Sequence, residues 1–268
     1  ELPSLVMAML VAGAAAGVVA GLLGVGGGIV IVPALEIVLQ TLDVDMQVRM
    51  HIAVGTSLAI IIPTSVSSAA AHYRRDAVDL DVIRFWSPLI VVGAIAGAIV
   101  ASQVSGRVLY AVFSVVALLV AANMMRPTQE KTIWNEVPRT PAGVSIPAGI
   151  GFVSTLMGIG GGSMSVPAMT LMGRPIHRAV GTSALIGLVI AVPAAAGYVV
   201  AGWGNELVPD WSLGYVSLIG LALIAPTTVL FAPVGARIAH AMSRRTLSLS
   251  FGGFLLIVAF RMGFKALA

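Results

Sequence analysis

The sequence predicts an all-α polytopic membrane protein with an inverted-topology internal repeat, each half a glycine-broken, re-entrant helical hairpin followed by three transmembrane helices. Three observations predict it: a composition too poor in charge for a soluble globule, two over-long apolar runs interrupted by glycine clusters, and motifs duplicated in the same order. Of 268 residues, 58% are hydrophobic and 10% are charged, and mean hydropathy is +1.02. Soluble domains carry about 25% charged residues, so there is too little polar surface here to cover a water-exposed fold. Cysteine is absent, which excludes disulfides, thiolate metal ligands and cysteine nucleophiles. The net charge of +4 comes from cations scattered over short loops, the pattern of an orientation signal rather than a nucleic-acid footprint.

A crossing helix needs about 20 apolar residues. The charge-free stretches are 2–35, 50–73, 85–106, 108–125, 140–173, 179–205, 211–236 and 246–260. Six suit single helices, the last by extending to Lys265 with its cations snorkelling to the interface. The first and fifth, 34 residues each, are too long for one crossing, and each contains GxGGG. The first begins with Glu1, lacks a basic flank and outlasts a typical h-region, so it is not expected to be a cleaved signal peptide. Trp86, Trp134, Trp203 and Trp211 lie at segment ends or in loops, where an aromatic belt would place them. The expected organisation is a first repeat over 1–125 (helices about 3–39 broken at 24–28, 48–72, 84–104 and 107–125), a cytoplasmic linker over 126–141, and a second repeat over 142–268 (helices about 142–172 broken at 158–162, 176–202, 211–238 and 245–266).

The repeat rests on two matches. GVGGGIVIVP, starting at Gly24, aligns with GIGGGSMSVP, starting at Gly158; HIAVGTS, starting at His51, aligns with HRAVGTS, starting at His177. Charge decides its sense. If each long segment crosses once, Lys and Arg divide eight against seven. If each goes in and returns, one side receives Arg74, Arg75, Arg84, Arg126, Lys131, Arg139, Arg174, Arg178, Arg237, Arg244 and Arg245, and the other only Arg49, Arg107, Arg261 and Lys265. Eleven against four is a positive-inside bias, and it implies inverted halves with both termini outside.

Three adjacent glycines disfavour continuous helix by about 1 kcal/mol each. Irregular backbone at bilayer depth is tolerated where protein or a polar cavity satisfies it. A half-helix starting there offers open N–H groups and a positive dipole end, so two such tips meeting near the midplane would hold an anion. The candidate binding residues are Gly26, Gly27 and Gly28 in the first cluster and Gly160, Gly161, Gly162 and Ser163 in the second. The plainer use of glycine, close helix contact, is expected at Gly13, Gly17 and Gly21 and at Gly93 and Gly97.

Thr56, Ser57, Thr182 and Ser183 of the VGTS motifs add hydroxyls that either bond an oxyanion or bond their own helix or a neighbour. His51 and His177 open the same motifs and either serve anion admission or a proton, or cap the interface. His51 and Ser57 are six residues apart, as are His177 and Ser183, so neither pair shares a helix face and no hydrolase dyad is expected. No catalytic set, metal site or cofactor is expected. No Asp or Glu lies central in any segment, Glu36 coming nearest, which disfavours a cation pump.

GLLGVGGGIVIVPAL from Gly21, GIGGGSMSVPAM from Gly158 and the two AVGTS motifs resemble the sulfite exporter TauE/SafE family of membrane permeases, over nearly the whole chain. The resemblance implies transport of small sulfur-containing anions, of sulfite or organosulfonate type, across the bacterial inner membrane. The partners are then that anion and the lipid bilayer, with no nucleic acid. The sequence reading adds alternating access at the glycine tips, with an anion channel of the same fold and an intramembrane enzyme as the other classes. Ile29 follows the first cluster where Ser163 follows the second, so the two tips differ in chemistry.

Overall fold

The computed structural model describes residues 2–23, 27–125, 141–241 and 244–267. Gly26 and the linker over 126–140 lie outside the described residues. The described chain forms α1 (Leu2–Leu23), α2 (Gly28–Thr41), α3 (Met46–Tyr73), α4 (Leu80–Gln103), α5 (Gly106–Met125), α6 (Pro141–Met157), α7 (Gly162–Leu171), α8 (Ile176–Ala201), a short antiparallel pair β1 (Ser212–Leu213) and β2 (Val216–Ser217), α9 (Leu218–Ala241) and α10 (Arg244–Leu267).

Five of these helices are long and apolar enough to cross a bilayer: α3, α4, α5, α8 and the Leu218–Gly235 part of α9. Their outer faces carry exposed Val92, Ile99, Val115, Leu119 and Leu230, side chains that lipid rather than water would cover. The protein is thus an all-α, multi-pass membrane protein. Prolines stand inside α3, α4, α6, α8 and α9, as membrane helices tolerate when neighbours satisfy the freed carbonyls.

The helices pair reciprocally. α1 runs along α9 and α6 along α4, while α3 packs on α8 and α5 on α10. Exchanging the two halves reproduces the same pairing. Glycine sets the close approaches: a Cβ at Gly17 would meet the Thr228 backbone, and one at Gly97 would come 2.7 Å from the Phe152 carbonyl oxygen. Gly13 and Gly93 sit against Ile224 and Ala148 in the same way.

One boundary and one pair of side chains differ from expectation. α9 starts at Leu218 rather than near 211, because the β1–β2 hairpin turns at Gly214 (φ +53°) and the Tyr215 N–H donates to the Tyr198 carbonyl. α10 does not snorkel its last cations outward: Arg261 and Lys265 turn inward onto Glu36 of α2. A buried carboxylate gives them a stronger partner than an interface would.

Candidate functional site at the two helix breaks

Helix is interrupted at both glycine clusters, and the residue before each second half-helix has the same conformation. Gly27 has φ 73° and ψ −7°; Gly161, 134 residues later, has φ 73° and ψ −13°. The Gly27 carbonyl accepts from Val30 and Ile31, and the Gly161 carbonyl accepts from Met164 and Ser165. A left-handed residue directly before a helix is open to glycine at little cost and strained for other residues. Gly158, at φ 72°, closes α6. Pro33 and Pro167 follow at matching places in α2 and α7, where a missing N–H weakens each half-helix near its start.

The two breaks touch. A Cβ at Gly28 would press on the Gly158 carbonyl and lie 2.9 Å from Ile159 Cα. Ser57 joins this contact, its Oγ donating to the Gly158 carbonyl at 2.7 Å. In this conformation the backbones leave no room for an oxyanion between Gly28 and Gly158.

Among the described residues, two unpartnered hydroxyls stand at the second break. The hydroxyl oxygens of Ser154 and Ser163 are buried without a hydrogen-bond partner. Ser154 Oγ lies 3.4 Å from where a Gly161 Cβ would stand, and Ser163 is the second residue of α7, in the turn whose N–H groups have no partner earlier in the helix. Each unpaired buried hydroxyl costs about 1–3 kcal/mol. Gly160 lies across from Gly187, whose added Cβ would come 3.1 Å from the Gly160 carbonyl and 2.8 Å from Ser65 Oγ. Ser154 escapes sequence reasoning because a lone serine in an apolar helix commonly bonds its own backbone; its one signal is its place a turn before GIGGG.

The VGTS hydroxyls separate into two uses. Thr56 Oγ1 accepts from the Ser217 N–H at 2.8 Å, and Thr182 Oγ1 accepts from the Asp79 N–H at 2.8 Å. Ser217 and Asp79 precede α9 and α4 and cap them, their side chains accepting from Gly220 and Val82. Each half therefore holds the start of a helix in the other, and both threonines are fully buried in doing so. Ser57 reaches the second break, and Ser183 Oγ donates to Val180 of its own helix.

The duplicated histidines occupy unlike places. His177 is exposed, whereas His51 is buried. His51 Nδ1 lies 3.2 Å from the Gln47 carbonyl, and Nε2 lies 3.1 Å from that of Ala101 and 3.2 Å from that of Val104. Its ring stacks on Tyr215 at 4.9 Å between centroids. Both nitrogens face acceptors, so the ring ties α3 to the end of α4 and has no contact with Ser57 in its hydrogen bonding.

Sequence reasoning also missed what surrounds Glu36. This carboxylate is wholly buried; it accepts from Tyr110 at 3.0 Å and pairs with Arg49, Arg261 and Lys265. The partners lie 13 to 229 residues away in sequence, so no local pattern reveals them. At another point Arg174 Nε lies 3.2 Å from Asp79 Oδ2. Among the described residues no group of three or more His, Asp or Glu side chains is placed to hold a metal ion.

The sulfite exporter TauE/SafE family matches the chain over residues 9–262. A probable membrane transporter protein of Haemophilus influenzae is 31% identical over 260 residues, covering 97% of this chain and 98% of that protein. The probable membrane transporter protein YunE of Bacillus subtilis is 30% identical over 223 residues, covering 74% of this chain and 80% of its own length. No solved structure matches.

Proposed function

The chain belongs to the sulfite exporter TauE/SafE family, and on that premise we propose that this membrane transporter moves small sulfur-containing anions, of sulfite or organosulfonate type, across the bacterial inner membrane by alternating access. The anion is held at the N-terminal ends of α2 and α7 by the open N–H groups at Gly27, Gly28, Gly160, Gly161 and Gly162, with Ser163 and Ser154 donating hydroxyls. Ser57 lines the junction between the tips, Thr56 and Thr182 position the helices around it, and Ser183 is the repeat counterpart of Ser57. The observation that carries the reading is the pair of buried, unpartnered hydroxyls beside the second break. A transported oxyanion supplies the acceptors they lack.

Because Gly28 presses on Gly158, the anion gains access only when the two breaks part, which favours a carrier over a static pore. The halves are inverted, each long segment a re-entrant hairpin, with both termini periplasmic. Eleven cations against four support that orientation. No cofactor takes part. The test is sulfite efflux from proteoliposomes. Gly28→Val and Gly162→Val are expected to insert normally and lose transport; unchanged flux in both removes the tips as the site.

A further inference from the structure

Among the described residues, Glu36 is the one carboxylate with no exposure, and its neighbours over-compensate it. Arg261 Nη2 donates to Oε2 at 3.2 Å, Lys265 Nζ donates to Oε1, and Arg49 Nη1 stands 4.0 Å from Oε1. Tyr110 donates to Oε1 as a neutral group at 3.0 Å. Among the described residues, Glu36 is the only carboxylate within ion-pair distance of these three cations. The cluster therefore holds two positive charges more than negative ones. Arg49 also donates to the Val44 carbonyl at 3.0 and 2.6 Å, and Lys265 to Gln40 Oε1 at 2.6 Å. Those dipoles soften the excess without neutralising it, and unbalanced charge inside a protein is costly until a counter-ion arrives.

The cluster is graded toward solvent. Glu36 is 0% exposed, Arg49 14%, Lys265 19% and Arg261 37%. Arg261 and Lys265 are four residues apart on α10, so they share one face and form a two-cation fork. Glu36 lies eight residues along α2 from Gly28, about 12 Å at 1.5 Å per residue. A cavity of about 660 Å³ on the other side of α2 is lined by Asp43, Asp45, Glu206 and Asp210. Val38, two residues and about 200° round α2 from Glu36, lines it, as does Val44, whose carbonyl accepts from Arg49. The second half has no equivalent: Glu36 aligns with Thr170, and Arg49 with Pro175.

We infer that the fork of Arg261 and Lys265, backed by Arg49 and Glu36, is a second anion site, placed at one mouth of the molecule and taking a small oxyanion such as sulfite, sulfate or a sulfonate headgroup. The anion binds the two cations of α10 and shares them with Glu36, which holds them in place when the site is empty. A lipid phosphate has the same chemistry, so the source of the oxyanion is part of the test. This inference rests on the transport reading only for the choice of probe and deepens it by giving one face a capture site ahead of the helix breaks.

The test is calorimetric titration of the purified full chain with sulfate and sulfite, in uncharged detergent and in nanodiscs of phosphatidylcholine with or without phosphatidylglycerol. Arg261→Gln and Lys265→Gln are each expected to weaken sulfate binding about tenfold, as loss of a charge-assisted bond does, with circular dichroism unchanged. Gly162→Val, which disables the tip, is expected to keep this binding. Glu36→Gln, where it folds, is expected to tighten sulfate binding, a direction that mere loss of structure does not give. Unchanged affinity in both α10 variants overturns the proposal. So does sulfate binding that vanishes in the Gly162→Val protein. Sulfate binding abolished in wild type by phosphatidylglycerol assigns the fork to lipid and overturns its role for free solute. Conversely, a Gly162→Val protein that still transports, beside an Arg261→Gln protein with weakened binding, sinks the tip reading and leaves the mouth site standing.

Discussion

The two helix breaks share the turn into their second half-helix and differ in the residue that follows it. Gly27 and Gly161 adopt the same left-handed turn, and α2 and α7 start from them with the same bonds. After that turn the first break presents Ile29, fully buried in the core, whereas the second presents Ser163, whose hydroxyl, like that of Ser154 near Gly161, lacks a partner. The two turns are alike and the residues that follow them are not.

That contrast can be broken most severely at Gly28. A valine there drives its Cβ into the Gly158 carbonyl, overpacks the junction at a cost of about 1–3 kcal/mol, and should abolish sulfite efflux from proteoliposomes. Next in size is Ser163→Ala. It is expected to raise KM for sulfite about tenfold, the loss of one hydrogen bond to a charged ligand. The ligand-free melting temperature should hold or rise, since an unpaired buried hydroxyl is removed. Its counterpart Ile29→Val should do the reverse, costing about 0.5–1.5 kcal/mol of stability and leaving KM unmoved. Equal KM shifts in the two variants would erase the distinction between the breaks.

Smaller effects test the shared frame. Thr56→Val and Thr182→Val each strand a buried N–H, at Ser217 and at Asp79, and are expected to cost about 1–3 kcal/mol in denaturation. Thr→Ser at either position should recover most of it. At the mild end, His177→Gln is expected to change stability by less than about 0.5 kcal/mol, as an exposed substitution does, whereas His51→Gln loosens α3 from α4. Matching losses at the two histidines would contradict their unlike surroundings.

The helix breaks were legible in the sequence because triglycine inside a 34-residue uncharged run has few other uses, and the offset of 134 pairs Gly27 with Gly161. The membrane class followed from composition alone. The partners of the polar groups were not legible. Thr56 meets Ser217 across 161 residues, and Glu36 meets Lys265 across 229. Reading α10 in isolation puts Arg261 and Lys265 at the lipid interface; only the approach of α10 to α2 offers them a carboxylate. Ser154 and Ser163 illustrate the same limit from the other side, since an unmet hydroxyl is a property of surroundings and leaves no mark in local pattern.

The reciprocal threonine caps have a mechanical consequence. Thr56 anchors the first turn of α9, against which α1 lies; Thr182 anchors that of α4, against which α6 lies. Were the breaks to part as proposed, α3 would carry α9 with it and α8 would carry α4, each a helix from the other half of the chain. Two bodies would then form, α1, α2, α3 and α9 on one hand and α4, α6, α7 and α8 on the other, meeting along the α3–α8 seam.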